Sequence, residues 1–364
     1  MHVREMQLSD YAAVQKVRQE NGLTVLSLEE WNHLNRDNPF VSPEDPVPIG
    51  WILEDDREGV VGIYGNFPGR YGWRSQELRA GISHSWAVNR GHRKGSLLLV
   101  ARYLGQKNVH LLINTSANVE AGRVFETLKA LRVPQPDFHW ILVWIFRYSA
   151  FVESVLRYKK VRGAGYLKPF LAAGLKGMDR LARRNRWKAF SGRVRRIDEF
   201  DERFDGFWKQ LCASSRQLMA VRHRRALEWH FHLGQREGRI AIFIYETAGR
   251  MQGYLILRRE EDPALALCRQ RVVDLQVLAP GEEALQELFA AAADFARQSG
   301  AQILEVVGLS ALKRRSLEAL APHRRRMTTW PFWYCAVQPV TGADFRNPEV
   351  WDPTLYDGDS SVWR

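Results

Sequence analysis

The alternation of apolar and polar positions divides the chain into two stretches with the same succession of elements. In the first, a short strand at Val3 precedes an amphipathic helix over 9–20, with Ser9 or Asp10 as its N-cap. A second helix follows Ser27, because Ser27-Leu28-Glu29-Glu30 has the residues of a capping box. Alternating runs at 49–54 and 60–66 flank the polar turn 55–59 and predict a hairpin. A longer strand spans 78–88. A basic turn then leads into a helix over 96–106, the strand 110–114 leads into a helix over 118–130, and a strand over 139–146 closes the stretch.

The second stretch repeats the order: strand 194–197, helices 202–213 and 223–233, and strands 240–245 and 251–258 joined through Ala248-Gly249-Arg250. Strand 271–278, helix 282–298, strand 303–307, helix 310–320 and strand 329–337 follow. Two units of one order predict an α+β protein, mixed sheets with flanking helices, built by duplication. The boundaries are a first domain over 1–146, a connector over 147–193, a second domain over 194–338 and a tail over 339–364.

Charge sharpens the connector. The chain of 364 residues has 53 Lys+Arg against 41 Asp+Glu, a net charge of +12. From Arg147 to Arg196 there are 15 basic residues and only two acids, Glu153 and Asp179, so the remainder is close to neutral. Within it, Leu167, Leu171, Leu175, Met178 and Leu181 recur at helical spacing, and Lys168, Lys176, Arg180, Arg183 and Arg184 fall mainly off that stripe. Pro169 is tolerable only in the first turn of such a helix. Tyr148, Phe151, Tyr158, Tyr166, Phe170 and Trp187 are interleaved. Three readings fit: a linker whose stripe packs on both domains, a contact with an anionic membrane surface, or a contact with nucleic acid such as tRNA. A composition of 45% hydrophobic and 26% charged residues excludes wholesale disorder. No apolar run approaches the twenty or so residues of a membrane span, and no secretory signal is visible. Three scattered cysteines suit a reducing cytoplasm and argue against a cysteine-based metal site.

The strongest chemical signal is Trp86-Ala87-Val88-Asn89-Arg90-Gly91-His92-Arg93-Lys94-Gly95-Ser96-Leu97-Leu98-Leu99, a strand end, a basic glycine-containing turn and a helix start. Free N–H groups at a helix N-terminus beside Arg and Lys attract anions. Further on stands Asn114-Thr115-Ser116-Ala117-Asn118-Val119-Glu120-Ala121-Gly122-Arg123-Val124-Phe125. At these residues the chain resembles the GNAT superfamily of acyl-CoA-dependent N-acyltransferases, over about 1–146. The resemblance implies a pantetheine arm at Trp86 and Val88, and a pyrophosphate wrapped by Arg93, Lys94, Gly95, Ser96, Leu97 and Leu98. It also implies a second cofactor-side helix headed by Asn118. The sequence departs from the family pattern at Ser96 and Leu98, where small residues are usual, at Arg90 in place of proline, and at Phe125 in place of the tyrosine that protonates the leaving thiolate. The stretch 194–338 is similar by element order only. Its turn, Leu278 to Glu283, is acidic, which marks a degenerate copy.

An amine acceptor needs a base. Strict alternation along the strand puts His84, Trp86 and Val88 on one face, so His84 is the first candidate and Glu77 the second. The expected reaction moves an acetyl or longer acyl group from acyl-CoA to an amine, an aminosugar or a lipid-linked acceptor lying between the halves. The expected location is the cytoplasm, peripheral to the membrane. The alternatives are a Fem-like aminoacyl or peptidyl transferase using charged tRNA, a transferase using a carrier-bound acyl donor, and a non-catalytic binding protein on the same fold. Three further segments read as structural: Arg222 to Arg225 as a basic helix start, Arg324 to Arg326 as a solvated loop, and the tail as a strap over the body anchored by Trp351 and Trp363. The carboxylates from Asp352 to Asp359 lack the spacing of a calcium loop.

Overall fold

The structure is a computed structural model that describes residues 1–362 except 45, 75, 162, 186, 188–191 and 280. Trp363 and Pro280 therefore lie outside the described residues. The first half contains β1 (His2–Glu5), α1 (Tyr11–Glu20), α2 (Leu28–Asn35), β2 (Gly50–Asp55), β3 (Gly59–Trp73) and β4 (Gln76–Val88). It continues through α3 (Ser96–Leu104), β5 (Leu111–Asn114), α4 (Val119–Thr127), β6 (Leu131–Arg132) and β7 (Trp140–Ile145). A helical hairpin, α5 (Tyr148–Tyr158) and α6 (Lys168–Leu181), connects to β8 (Val194–Ile197), α7 (Glu202–Ser214), β9 (Met219–Ala220) and α8 (Arg224–Arg236). Then come β10 (Ile240–Thr247), β11 (Arg250–Asp262), β12 (Leu267–Val277), α9 (Glu282–Gln298), β13 (Ile303–Val306), α10 (Ala311–Glu318), β14 (His323–Arg326) and β15 (Trp333–Ala336). The capping box at Ser27 forms: its hydroxyl accepts from the Glu30 amide at 3.2 Å, and its amide donates to the Glu30 carboxylate at 2.7 Å.

The strands make two sheets of matching order. One runs β1-β2-β3-β4-β5-β15-β6, and the other runs β8-β10-β11-β12-β13-β7-β14. Each has one parallel pair, β4 with β5 and β12 with β13, and its other pairs are antiparallel. The two orders reveal an exchange. The strand expected to close the first half, β7, pairs with β13 and β14 of the second sheet. The strand expected to close the second half, β15, pairs with β5 and β6 of the first. Neither sheet is contained in 1–146 or in 194–338. Arg324 to Arg326, expected as a loop, form most of edge strand β14. The central hairpin is also longer than its pattern predicts. β3 continues through Gly65, Pro68, Gly69 and Gly72, residues that read as strand breakers, and its far end pairs with β9.

Helices α1 and α2 cover one face of the first sheet through Val14, Val17, Trp31, Ile52, Ile63 and Ala87. Helices α3 and α4 cover the other, over Trp51, Leu53, Tyr64, Val88, Leu99 and Phe125. A shared core joins the halves: Phe67, Tyr71 and Ile82 from the first sheet meet Phe204, Phe207 and Trp229 from α7 and α8, and Ile244 and Tyr254 from the second sheet. At its edge α2 meets α8, where the Trp229 indole donates to the His33 carbonyl at 2.9 Å.

The tail threads through this core rather than over the surface. Trp351, Tyr356 and Val362 are buried in it. It is held by Arg222, which is not part of an exposed basic helix start but fully buried, 0% exposed. Its guanidinium donates to Asp274 at 3.0 Å, to Asp357 at 2.9 Å, to the Thr354 hydroxyl at 3.0 Å and to the Ala220 carbonyl at 2.6 Å. Removing one partner of such a buried pair costs about 3–5 kcal/mol, because the remaining charge is left uncompensated.

Mutual completion of the sheets predicts that the whole chain unfolds in one transition, and that residues 1–146 alone do not fold, since β5 would be an uncovered edge and the aromatic core would lack Trp333. Urea denaturation followed by near-ultraviolet circular dichroism tests both; a cooperative, monomeric 1–146 fragment would contradict the exchange.

Candidate active site

The site lies where β4 and β5 part. They pair in parallel from Ala80/Leu111 to Ile82/Ile113 and no further. Side chains span the root of the gap. The Asn114 amide donates to the Ser83 hydroxyl at 2.8 Å, and the Tyr103 hydroxyl reaches the Gly81 and Ile113 carbonyls at 3.1 and 3.0 Å. Beyond Ile82 the β5-facing edge of β4 has no strand beside it among the described residues.

A bulge in β4 lies just beyond the parting. Ile63 sits opposite Ala87 and Gly65 opposite His84, so Tyr64 alone faces two residues, Ser85 and Trp86. Ser85 takes a left-handed conformation, φ 50°. The extra residue breaks the alternation. Trp86 and Val88 turn towards α3 and α4, with Trp86 5.7 Å from the Tyr64 ring and 6.4 Å from Phe125. His84 turns to the opposite face, against Phe67 at 5.7 Å. The expectation that His84, Trp86 and Val88 share a face is therefore corrected by the bulge. Gly65 makes room for the imidazole, since a Cβ there would stand 2.2 Å from the ring.

His84 has the environment of a structural group. Its Nδ1 lies 2.9 Å from the Ser85 hydroxyl, which also accepts from Arg18 at 2.5 Å. Burial, with the Arg18 charge adding to it, pushes the imidazole down to about 3. A group so reluctant to hold a proton is a poor general base near neutrality. Glu77 lies seven residues back along β4, roughly 23 Å at strand rise, and lines a separate cleft of about 940 Å³ with Trp208 and Cys212.

The other sequence-predicted residues gather around the gap. Arg93 and Lys94 are exposed in a 3-10 turn over Arg90–Gly95, and Ser96 opens α3 with no side-chain cap on its N–H groups. Gly95 is buried against Leu53, whose methyl would stand 2.5 Å from an added Cβ. Leu97 and Leu98 point outward from the first turn. Asn118 caps α4, its side chain accepting from the Ala121 amide at 2.8 Å. Phe125 is buried between Trp86 and Trp333, so one wall of the site comes from the exchanged strand β15.

One group escaped sequence reading. The tail brings Asp359 to the loop after β5, where its carboxylate accepts from the Thr115 hydroxyl at 3.1 Å and from the Ser116 hydroxyl at 2.9 Å. It is 4% exposed, and its charge reaches Tyr64 at the bulge. The density of aromatic residues around it in the sequence, Trp351 and Tyr356, was the available signal that this acidic tail is interior.

Among the described residues the second half shows no equivalent opening. Beyond the last β12–β13 pair, Val272/Val306, Lys313 of α10 donates to the Leu275 carbonyl at 2.8 Å and the Gln276 side chain at 2.9 Å, and pairs with Asp352 of the tail. The turn before α9 is tight, with room for no Cβ at Gly281, and Glu282 and Glu283 stand in the helix's first turn.

No protein-family model matches the sequence, and no curated protein does. Solved structures match over nearly the whole chain. A GCN5-related N-acetyltransferase from Anabaena variabilis is 10% identical, with 93% of this chain and 73% of that one covered and a TM-score of 0.55. Saccharomyces cerevisiae N-myristoyltransferase with bound myristoyl-CoA is 12% identical, with 100% and 89% covered and a TM-score of 0.56. A conserved Enterococcus faecalis protein, described as a probable N-acyltransferase, is 10% identical, with 93% and 72% covered and a TM-score of 0.59. The chain has the GNAT fold in tandem, with two mixed sheets flanked by helices.

The buried histidines set a pH dependence. His84, His33 and His230 all have imidazoles pushed below the ordinary value, chiefly by burial. Their stabilising effect is present above about pH 6.5 and is lost as pH falls towards the folded values. Asp357, pushed up to about 6 by burial, acts with the opposite sign but is one group against three. Stability should thus fall from pH 6.5 to 4, and His84→Gln should flatten that slope by about 1.4 kcal/mol per pH unit. Denaturant midpoints across this range check it; an unchanged slope would show that His84 is not buried neutral.

Proposed function

We propose that the protein is an N-acyltransferase that moves an acyl group from acyl-CoA to an amine, with its one working site at the β4–β5 parting. The observation that carries this reading is the combination of the edge of β4 beyond Ile82, which no strand covers among the described residues, the start of α3 and the cations Arg93 and Lys94 beside it. Similarity to N-acyltransferases, one of them holding myristoyl-CoA, supports it at the level of fold. The N-terminal turn of α3 and the two cations suit a pyrophosphate, and the aromatic lining of Tyr64, Trp86 and Phe125 suits a pantetheine arm and an apolar acyl chain.

In the reaction the amine nitrogen attacks the thioester carbonyl carbon, a C–N bond forms, the C–S bond breaks, and the amine loses one proton as the thiolate gains one. Backbone N–H groups on the open edge of β4 polarise the carbonyl. The proton acceptor is Asp359 rather than His84. It is a buried carboxylate beside the loop after β5, held by two hydroxyls, and it stands next to the first sheet only because the tail carries it there. Phe125 has no proton to give the thiolate, so water or the acceptor's own proton serves instead.

Two measurements test the proposal. Isothermal titration with acetyl-CoA and with long-chain acyl-CoA should show binding that weakens at least tenfold in an Arg93→Glu, Lys94→Glu variant, about 1.4 kcal/mol or more. CoA release with a panel of amines should fall by about a hundredfold or more in Asp359→Asn at unchanged donor affinity. Absence of acyl-CoA binding by the wild type would end the acyltransferase reading. Full activity of Asp359→Asn would remove the carboxylate from the mechanism and leave the donor site standing.

A further inference from the structure

Helix α6 is turned inside out for a protein surface. Its inward positions are Lys168, Ala172, Leu175 and Asp179, at spacings of four, three and four. Asp179 is buried, accepting from the Tyr148 hydroxyl at 2.9 Å and pairing with Arg184 at 3.1 Å and with His323. At 100° per residue Phe170, Leu171, Met178 and Leu181 fall outside the buried side, the first and last opposite it and the middle two on one flank. These are 75%, 48%, 61% and 87% exposed. Of the apolar stripe expected to pack on the two domains, Leu175 alone is not exposed. The outward apolar surface extends to Tyr158 and Tyr166, which are also exposed.

The charge around this face is predominantly positive. Residues 153–185 include nine Lys and Arg and two acids, Asp179, which points inward, and Glu153, which is taken up by Arg157 and Lys168. Lys176 and Arg180 lie on the flank of α6 between its buried and apolar sides, and with Lys159 and Lys160 at the end of α5 they have no acidic partner among the described residues. A second copy meeting this face across a twofold axis would bring like charges together without acids to offset them. An anionic lipid surface meets every term: apolar depth for Phe170 and Leu181, an interfacial zone for Tyr158 and Tyr166, and phosphates for the lysines and arginines. Among the described residues no helix is long and apolar enough to cross a membrane. At 14 residues α6 is about 21 Å long, which suits lying in the interface.

We propose that the α5–α6 hairpin docks the protein on an anionic phospholipid bilayer, α6 lying flat with its outward face among the lipids. This goes beyond the acyltransferase reading and does not depend on it. The test is co-sedimentation of the full chain with vesicles of phosphatidylcholine alone and of phosphatidylcholine mixed with phosphatidylglycerol. Binding should occur to the mixed vesicles, be absent from phosphatidylcholine alone, and weaken with salt. Lys176→Glu with Arg180→Glu should weaken it by about 25-fold or more, from about fivefold for each cation near the surface. Phe170→Asp with Leu181→Asp should abolish it at an unchanged melting temperature, since both side chains are exposed. Failure of the wild type to bind mixed vesicles overturns the proposal. So does equal binding by the variants, or binding of tRNA that survives the Phe170 and Leu181 substitutions while vesicle binding is missing. A dimer in solution that these substitutions dissolve would also overturn it, by assigning the face to a second copy.

Discussion

Each sheet ends on a strand supplied by the other half, and most of the molecule follows from that reciprocity. The outer strand of a sheet carries a row of N–H and C=O groups that must be paired or hydrated. β5 meets this need with β15, and β13 meets it with β7. The exchanged strands also deliver large side chains to the opposite half. Trp333 packs beside Phe125 in the wall of the site, and Trp144 packs on Phe289 of α9. The wall of the site is thus built partly from the far end of the chain.

The tail extends the same dependence. Arg222 is shut off from solvent and so must find its partners inside the protein, and it finds two carboxylates, one on the second sheet and one on the tail. That pairing fixes Asp357, whose backbone carbonyl accepts from Tyr71 of the first sheet at 2.6 Å. Two residues later Asp359 meets Thr115 and Ser116. A parallel pairing, Lys313 with Asp352, plugs the gap of the second copy. One segment therefore brings a carboxylate to the loop after β5 and fills the corresponding position of the second sheet.

The local elements were legible in the sequence because they are written in local patterns. The capping box at Ser27, the hairpin at 50–66, the basic turn before Ser96 and the helix headed by Asn118 all stand where the spacing of their residues puts them. The partner of a strand is not written in the strand. The residues at 140–145 suit either sheet, and the exchange depends on the path of the connecting segments. The bulge at Ser85 was equally invisible, since nothing in His-Ser-Trp signals an extra residue, yet it reverses the face of His84. The long hairpin was hidden by Gly65, Gly69 and Gly72, which admit the rings and chains of His84, Ile82 and Trp208 rather than ending the strand. Asp359 was missed because a short acidic tail resembles a solvated one until Arg222 is known to be buried.

The exchange also has a meaning in time. β5 leaves the ribosome with residue 114, and its neighbour in the sheet, β15, follows more than two hundred residues later. At about 5–20 residues per second, that edge stays open for roughly 10–45 s in every round of synthesis. The first half therefore cannot set before the second is made, and a nascent chain of this protein must be shielded along β5 for as long as its partner strand is still being assembled.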